Sequence, residues 1–328
     1  MLADSYELPG VFGAKTPDEN CADLRTNGWE LYLGWNDSFA LMGKRFNYTV
    51  SATLGDNKTV FTKFNNPEKN LSNHYEGKVL GEIWGYRVDG LFASDEEAAE
   101  YTSKINQDAV NERILTDKVD PYYRAGDLKF RDLDGDNVIS KGDDTAYDAG
   151  DREIIGNETP RYMYSFRLGA DWNGFDLGIF FQGVGKRDWY PNYLSTGFWG
   201  PYSRAFTSFI PENFMDQCWS EENRDGYFPR FRGYQTFAGS QLGVNNDRYL
   251  QDASYIRLKN LTVGYTLPVL KKVFTKLRVY FTGENLWYWS PMLKHTKYID
   301  PEAAGGNGNT GMAYNYSRNF SVGVDITF

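Results

Sequence analysis

The residues best suited to chemistry in this sequence form an acidic run, DLDGDNVISKGD, from Asp132 to Asp143. Its spacing resembles that of a calcium loop, in which carboxylates, one backbone carbonyl and one hydroxyl surround the cation. Asn137 stands where such loops usually have glycine, and Asp143 where they have glutamate, so an ion-free loop closed by Asx turns is the alternative. Either role is structural. The candidate ligands are Asp132, Asp134, Asp136, Val138, Ser140 and Asp143.

The sequence offers no arrangement that would suit an enzyme. Its two histidines, His74 and His295, lie beside neither a cysteine nor a metal-like cluster, so no nucleophile with a base can be proposed. The segment GNGNTG at 306–311 matches G-x-G-x-x-G, but no helical pattern follows it, so we interpret it as a loop. No carboxylate pair stands out among the 44 Asp and Glu residues. We therefore expect no catalytic residues.

A second candidate site is a set of aromatic residues in a long aperiodic segment, 186–250, which is rich in Trp, Tyr, Pro, Asn and Gly. This composition predicts a structured loop rather than a flexible linker. Its rings could stack on sugars or contact a protein partner, or they could pack against one another and hold the loop shut. The candidate contact residues are Trp189, Tyr190, Tyr193, Trp199 and Tyr202.

Charge and composition exclude several other classes. A net charge of −9 and no basic run longer than Lys271-Lys272 argue against a nucleic-acid partner. Cys21 and Cys218 are interpreted as two unrelated thiols, with one long-range bridge as the alternative. No apolar run reaches the ~18 residues of a transmembrane helix. The start, MLADSYELPG, has no signal-peptide pattern, so we expect any export signal to be missing.

The elements that would position these candidate residues are predicted to be β-strands. Two hairpins are predicted, one in NGWELYLGW with RFNYTVSATL, the other over 161–185 with a type I′ turn at Asn173-Gly174. Further strands are expected at 81–92, 254–268 and 277–290, the last two joined by a basic turn at Lys271-Lys272. A short surface helix is expected after Ser94, with Glu97 in capping-box register. Trp287, Tyr288 and Trp289 are interpreted as an interfacial girdle.

The last strand, RNFSVGVDITF, alternates between an apolar and a polar or small face. It could be the edge strand of a soluble sandwich or the closing strand of a membrane barrel. Long loops at about 94–158, 186–250 and 291–312 and short turns at the other end favour the barrel. Arg257 and Lys259 fall at the alternate positions of their strand that are otherwise apolar. This predicts that they lie above the membrane or beyond a bulge. The apolar positions are Phe320, Val322, Val324, Ile326 and Phe328.

Six ordered segments and the terminal Phe328 resemble the SusC/RagA family of TonB-dependent outer-membrane transporters over nearly the whole chain. The segments are NGWELYLGW, GEIWGYRVDGLF, GDLKFRDLDGDNVIS with IIGNETPRYMYSFRLG, SYIRLKNLTVGYTLP, LRVYFTGENLWYWS and YIDPE. Family members are much longer, and residues 1–328 look like their C-terminal barrel portion, with the plug domain and TonB box absent. About eight long strands fit the last part of a larger antiparallel transmembrane barrel, an all-β fold.

The resemblance implies a function that the residues alone do not. It implies import of oligosaccharide or peptide ligands with a SusD-like surface lipoprotein, in a Gram-negative, Bacteroidota-like outer membrane. Contact with the TonB complex would need the missing N-terminal region. Phe320 to Phe328 would be the signal for the barrel-assembly machinery. No cofactor is required, and calcium is the one candidate. The alternatives are a soluble glycan-binding β-sandwich and a truncated product without transport activity.

Overall fold

The computed structural model describes residues 2–4, 18–204, 206, 210–268, 275–304 and 315–328. The basic turn at Lys271-Lys272, the GNGNTG segment at 306–311 and residues 305–312 of the loop expected at 291–312 lie outside these residues. No described helix is long and apolar enough to cross a membrane. The helices are short: α1 (Asp95–Thr102), α2 (Glu112–Leu115), α3 (Thr196–Trp199) and 3₁₀ turns at Asp108–Val110, Gly200–Tyr202, Met215–Gln217 and Pro291–Lys294.

Strands dominate the described structure, as the alternating sequence patterns predict. In chain order they are β1 (Leu2–Asp4), β2 (Asp18–Asn20), β3 (Asp23–Leu41), β4 (Lys44–Lys63), β5 (Glu82–Tyr86), β6 (Val88–Leu91), β7 (Leu128–Phe130), β8 (Arg152–Asn157), β9 (Arg161–Trp172), β10 (Phe175–Lys186), β11 (Asp188–Trp189), β12 (Cys218–Trp219), β13 (Phe228–Arg230), β14 (Gln251–Asp252), β15 (Tyr255–Leu267), β16 (Lys276–Trp289) and β17 (Asn319–Thr327).

Seven long strands form one antiparallel sheet in the order β17-β16-β15-β10-β9-β4-β3. Two-residue turns close two of its hairpins: Asn173 and Gly174 have φ of 49° and 88°, and Met42 and Gly43 have 50° and 75°. Positive φ at both central residues is the type I′ geometry, so the predicted turn at Asn173-Gly174 is confirmed. The all-β fold class is confirmed as well.

The large sheet has two chemically different faces. One cross-strand row on the apolar face runs Val322, Phe281, Val263, Leu177, Ala170 and Tyr48. The described residues leave this face uncovered, since Val322, Val263 and Phe281 are 77%, 41% and 36% exposed. The neighbouring row on the other face is polar or small: Ser321, Thr282, Thr262, Gly178, Gly169, Thr49 and Asn36. A soluble sandwich would cover the apolar face, whereas a barrel would present it to lipid.

A β-bulge resolves the conflict in the charge pattern of β15. The register shifts between Leu258 and Asn260 in the pairing with both neighbouring strands: Lys259 has no partner on β10, and on β16 two residues, Asn285 and Leu286, lie opposite it. Arg257 pairs with Gln182 on the polar face, while Leu258 pairs with Phe181 on the apolar face. The predicted bulge is present, and an extra residue reverses which side the next residues face. Arg257 lies beyond this bulge as predicted, whereas Lys259 lies at the bulge itself.

The extended run at 81–92 does not join the large sheet. It forms β5 and β6, which pair with β8 and β7 in two small sheets, so the expected eighth long strand is wrong. Gly81, with φ of 81°, directly precedes β5, and Gly90, with φ of 141°, lies at a register shift within β6. The two strands separate at Arg87. Gly85 lies so close to Asn245 that an added Cβ would be 2.7 Å from its carbonyl oxygen.

The three segments between the long hairpins pack together into a loop domain with its own core. These connections run from 64 to 160, from 187 to 254 and from 290 to 318, and include the predicted loop ranges. Helix α1 lies in the first, with the Ser94 side chain accepting from the Glu97 N–H as predicted. The core combines residues from all three connections: Tyr86, Leu128, Phe130, Trp189, Trp199, Tyr202, Phe228, Tyr249, Met292 and Ile299.

Close packing of tyrosine on glycine stabilises the C-terminal edge of the large sheet. Gly323 pairs with Tyr280, and an added Cβ on Gly323 would lie 2.3 Å from the Tyr280 ring. We expect Gly323→Val to destabilise the folded chain by about 1–3 kcal/mol, because the ring must leave its position. Urea unfolding in detergent measures this. Adding Tyr280→Ala should recover part of the loss, and an equal loss in both backgrounds would contradict the packing argument.

Candidate functional site on the polar face and in the loop domain

The acidic loop brings three of its predicted ligands together. Asp132, Asp134 and Asp136 each offer a carboxylate oxygen within 4.8 Å of the others, and Asp143 is not in this group. The same carboxylates also hold the loop: Asp132 accepts from the Gly135 and Asn137 N–H groups at 2.7 and 3.0 Å. Asn137 has φ of 68°, the left-handed conformation that asparagine tolerates. The Asx-turn contacts are therefore present, and calcium binding stays a prediction.

A buried carboxylate that the sequence analysis missed anchors the acidic loop. Asp151 is fully buried and accepts from the Leu133 N–H at 2.7 Å and the Ser140 N–H at 2.8 Å. Burial raises the pKa of Asp151, the two backbone N–H groups oppose that rise, and the nearby Asp132 and Asp134 add to it. No local sequence signal marks Asp151, because its partners lie 11 and 18 residues away.

The loop aromatics divide into packing residues and one exposed ring. Trp189, Trp199 and Tyr202 are buried in the loop-domain core and offer no surface to a ligand in this structure, which matches the packing alternative rather than the contact prediction. The Trp199 indole N–H donates to the Pro191 and Asn192 carbonyls at 3.1 Å. These rings are buried because an aromatic side chain whose polar atom has a hydrogen-bond partner is more stable in the core than in water.

Tyr190 and Tyr193 differ from the other three. The Tyr190 hydroxyl donates to the Val244 carbonyl at 2.8 Å, which fixes its polar end within the loop domain. Tyr193 is 43% exposed, and its ring lies 5.8 Å from that of Phe237. Both tyrosines line a cavity of about 260 Å³ at the surface of the loop domain. Tyr193 therefore remains the candidate contact residue with the most free ring surface.

The three residues of the expected girdle point to different faces. Trp287 and Trp289 lie on the apolar face, opposite Leu258 and Ile256, and both are exposed. Tyr288 pairs with Arg257 on the polar face, where the guanidinium carbon lies 4.7 Å from the ring centroid. Tyr288 is therefore not a girdle residue, because consecutive strand residues alternate between faces.

Arg257 connects the top of β15 to the third connection of the loop domain. It is buried and forms ion pairs with the equally buried Asp300 and, at 3.0 Å, with Glu302. Lys259, on the bulge, pairs with the same Glu302 at 2.8 Å. The motif YIDPE thus supplies the carboxylates for two cations of β15. The sequence contains a signal for this contact, since Arg257 is a charged residue at a strand position where the alternation predicts an apolar one.

A second ionic cluster joins the first and second connections. Asp120 lies 2.9 Å from Arg230, 3.2 Å from Arg124 and 3.5 Å from the buried Arg232. Asp127, fully buried, lies 3.3 Å from Arg230. The contacts of Arg230 and Arg232 with these carboxylates join residues more than 100 positions apart, so sequence patterns alone could not identify them. They hold the loop domain in one arrangement above the sheet.

His295 makes the contact between the second and third connections sensitive to pH. Its ring stacks on Tyr227 with centroids 3.5 Å apart, and burial, with Lys294 and Arg248 nearby, lowers its pKa to about 4. An unfolded histidine titrates near 6.5, so the depressed pKa gives stability that is complete above that value and decreases as pH falls toward 4.

We therefore expect the protection of amides around Tyr227 and His295 against hydrogen exchange, relative to the intrinsic rate at each pH, to decrease from pH 7 to pH 5. The change should be modest, since the half-buried ring is partly screened by water. His295→Gln should remove most of this pH dependence, after correction for the intrinsic exchange rate. A variant that keeps the full pH dependence would assign it to another group.

The sequence comparisons point to one class of proteins. The chain is 27% identical to TonB-dependent receptor P3 and 25% identical to TonB-dependent receptor P26, both of Formosa agariphila, over 98% of its own length. The chain is a homologue of TonB-dependent receptors. The chain spans 30% of the length of receptor P3 and 31% of the length of receptor P26. No protein-family profile matches the chain.

Solved structures confirm the fold of this receptor homologue. The whole chain superposes on part of the RagAB peptide transporter with a TM-score of 0.63 and 21% identity, covering 32% of that protein. The RagAB peptide importer in an open-open state gives 0.61 at 20% identity, with 31% covered. These likenesses concern the fold, and the resemblance that the sequence motifs predicted is confirmed.

Proposed function

We propose that this receptor homologue forms part of an outer-membrane transporter that imports nutrients. The observation that carries the proposal is the seven-stranded sheet with one largely apolar face, on which Asp37 of β3 is an exception, and one polar face. Such a sheet suits a barrel wall between lipid and an aqueous lumen. The homology to TonB-dependent receptors supports the same function.

The ligand belongs to the proposal too. We infer oligosaccharide or peptide ligands, presented by a SusD-like surface lipoprotein at the loop domain of a Gram-negative, Bacteroidota-like cell. The likeness to a peptide transporter supports peptides, and the exposed ring of Tyr193 beside a cavity suits either a sugar or a peptide side chain. Assembly would use the barrel-assembly machinery, and energy would come from the TonB complex.

Cell fractionation tests the proposal. The chain is expressed with a signal peptide, and its outer-membrane fraction is run on a gel with and without heating. We expect a detergent-dependent species whose migration on the gel changes after heating, because folded barrels resist unfolding by the gel detergent at room temperature. A protein that stays soluble and folded without detergent would contradict the proposal and would favour the glycan-binding sandwich.

We further propose that the acidic loop binds calcium in a structural role. The grouping of Asp132, Asp134 and Asp136 supports this, since three carboxylates within 4.8 Å repel one another without a cation. We expect calcium to raise the unfolding temperature of the chain and Asp134→Asn to abolish that increase. Asp148→Asn, outside the group, is the control. An unchanged unfolding temperature in the presence of calcium would favour the ion-free loop.

A further inference from the structure

A depression in the polar face of the large sheet has the composition of a binding site. Gly169 and Gly178 pair directly on β9 and β10, and without side chains they leave a cavity of about 350 Å³. Thr49, Arg167, Phe180 and Asn260 line it from four different strands. An added Cβ on Gly169 would meet only the Thr49 side chain, at 3.8 Å, so the space over the glycines is open.

Arg167 is the charged group of this depression. Its guanidinium carbon lies 5.1 Å from the centroid of the ring of Phe180, its direct cross-strand partner, and this cation–π contact favours a guanidinium position beside the depression. Among the described residues, no carboxylate lies within ion-pair distance of Arg167. Arg257 and Arg278, also on the polar face, each pair with two carboxylates.

Three carboxylates of the polar face already have partners. Asp171 accepts from the Asn47 amide at 2.7 Å, Asp176 pairs with Arg278 at 2.7 Å, and Glu284 accepts from Asn319 at 3.2 Å. Asn260 is oriented by its own contact, because its Oδ1 accepts from the Thr262 hydroxyl at 3.2 Å. That contact leaves the Asn260 amide N–H groups, the Thr49 hydroxyl and the Arg167 guanidinium as donors around the depression.

We propose that this depression binds an oxyanion group, a carboxylate or sulfate, through Arg167. The planar guanidinium fork of an arginine presents two parallel N–H donors, which match two oxygens of such a group. The inference rests on the proposed function, because only then does the polar face line a lumen. The oxyanion could belong to a solute passing through the lumen or to an acidic side chain of a protein segment that fills it.

Arginine modification tests the inference on the purified full chain in detergent. Phenylglyoxal reacts with free guanidinium groups, and mass spectrometry compares Arg167 with Arg45, which is exposed and contacts the Ser38 hydroxyl. We expect sodium succinate or sodium sulfate to slow modification of Arg167 about tenfold when the concentration of the anion is about ten times its dissociation constant. Uncharged succinamide should have no effect, and Arg45 should react equally in every sample.

Two variants separate the sources of the oxyanion. If the source is a protein carboxylate, Arg167 reacts slowly with phenylglyoxal even without any probe. In that case R167K treated with carbodiimide forms an amide crosslink to a peptide that mass spectrometry identifies. If the source is a solute, only added succinate or sulfate protects Arg167, R167Q loses calorimetric binding of the probe, and R45Q keeps it.

Equal reactivity of Arg167 and Arg45 with and without probe, and no crosslink in R167K, would overturn the inference. That result leaves the proposed function standing, since membrane insertion is measured separately by fractionation.

Discussion

Val322→Lys is expected to destabilise the folded chain in a lipid bilayer by about 2–4 kcal/mol. Val322 is 77% exposed at the centre of β17, in the apolar row that continues through Phe281 and Val263. A lysine there must place its ammonium group in hydrocarbon or distort the strand to reach water. Urea-dependent folding into vesicles, followed by heat-modifiable migration, measures the difference.

Ser321→Lys is the matched control. Ser321 lies next to Val322 in the same strand but on the polar face, opposite Thr282. Lysine at this position reaches the lumen, so the expected change is below about 1 kcal/mol. If the two substitutions have equal effects, the two faces of the sheet do not meet different solvents, and the barrel interpretation fails.

Arg257→Gln is expected to weaken the contact between β15 and the third connection by about 3–5 kcal/mol. The substitution leaves Asp300 buried without its cation, and the guanidinium also stacks between the rings of Tyr288 and Tyr316, at 4.7 and 5.1 Å. Hydrogen exchange of residues 291–304 should accelerate strongly, while exchange of the sheet turns should not change.

Lys259→Gln tests the same contact with a partly exposed cation. Lys259 and Glu302 are 19% and 17% exposed at their side chains, so water compensates for much of the lost pair. We expect a loss of about 1 kcal/mol. A larger effect for Lys259→Gln than for Arg257→Gln would mean that Glu302, rather than the buried Asp300, holds the third connection in place.

Local patterns predicted the large sheet because each pattern has a direct structural cause. Alternation of apolar and polar residues assigns the faces, Asn173-Gly174 supplies two residues that tolerate positive φ, and a charge at apolar parity marks the bulge at Lys259. The run at 81–92 misled the sequence analysis. It alternates, but it divides at Arg87 into two short strands, and their partners β8 and β7 come much later in the chain.

The candidate sites were harder to predict than the sheet. Trp199, Phe228 and Tyr249 all belong to the second connection and meet in the loop-domain core only when that long segment folds back on itself, so its composition suggested binding as readily as packing. Asp151 and Arg167 carried no sequence signal, since one is defined by burial and the other by the side chains that surround it. Tertiary contacts of this kind do not appear in the spacing of residues along the chain.

The central claim is that the apolar face of the sheet meets lipid while the polar face meets water. Nitroxide labels at single cysteines in β15, with Cys21 and Cys218 replaced by serine, test it in vesicles. Labels at Leu261, Val263 and Tyr265 should be accessible to oxygen, and labels at Thr262 and Thr266 to a water-soluble nickel complex. Equal access of the nickel complex to both sets of labels would contradict the account.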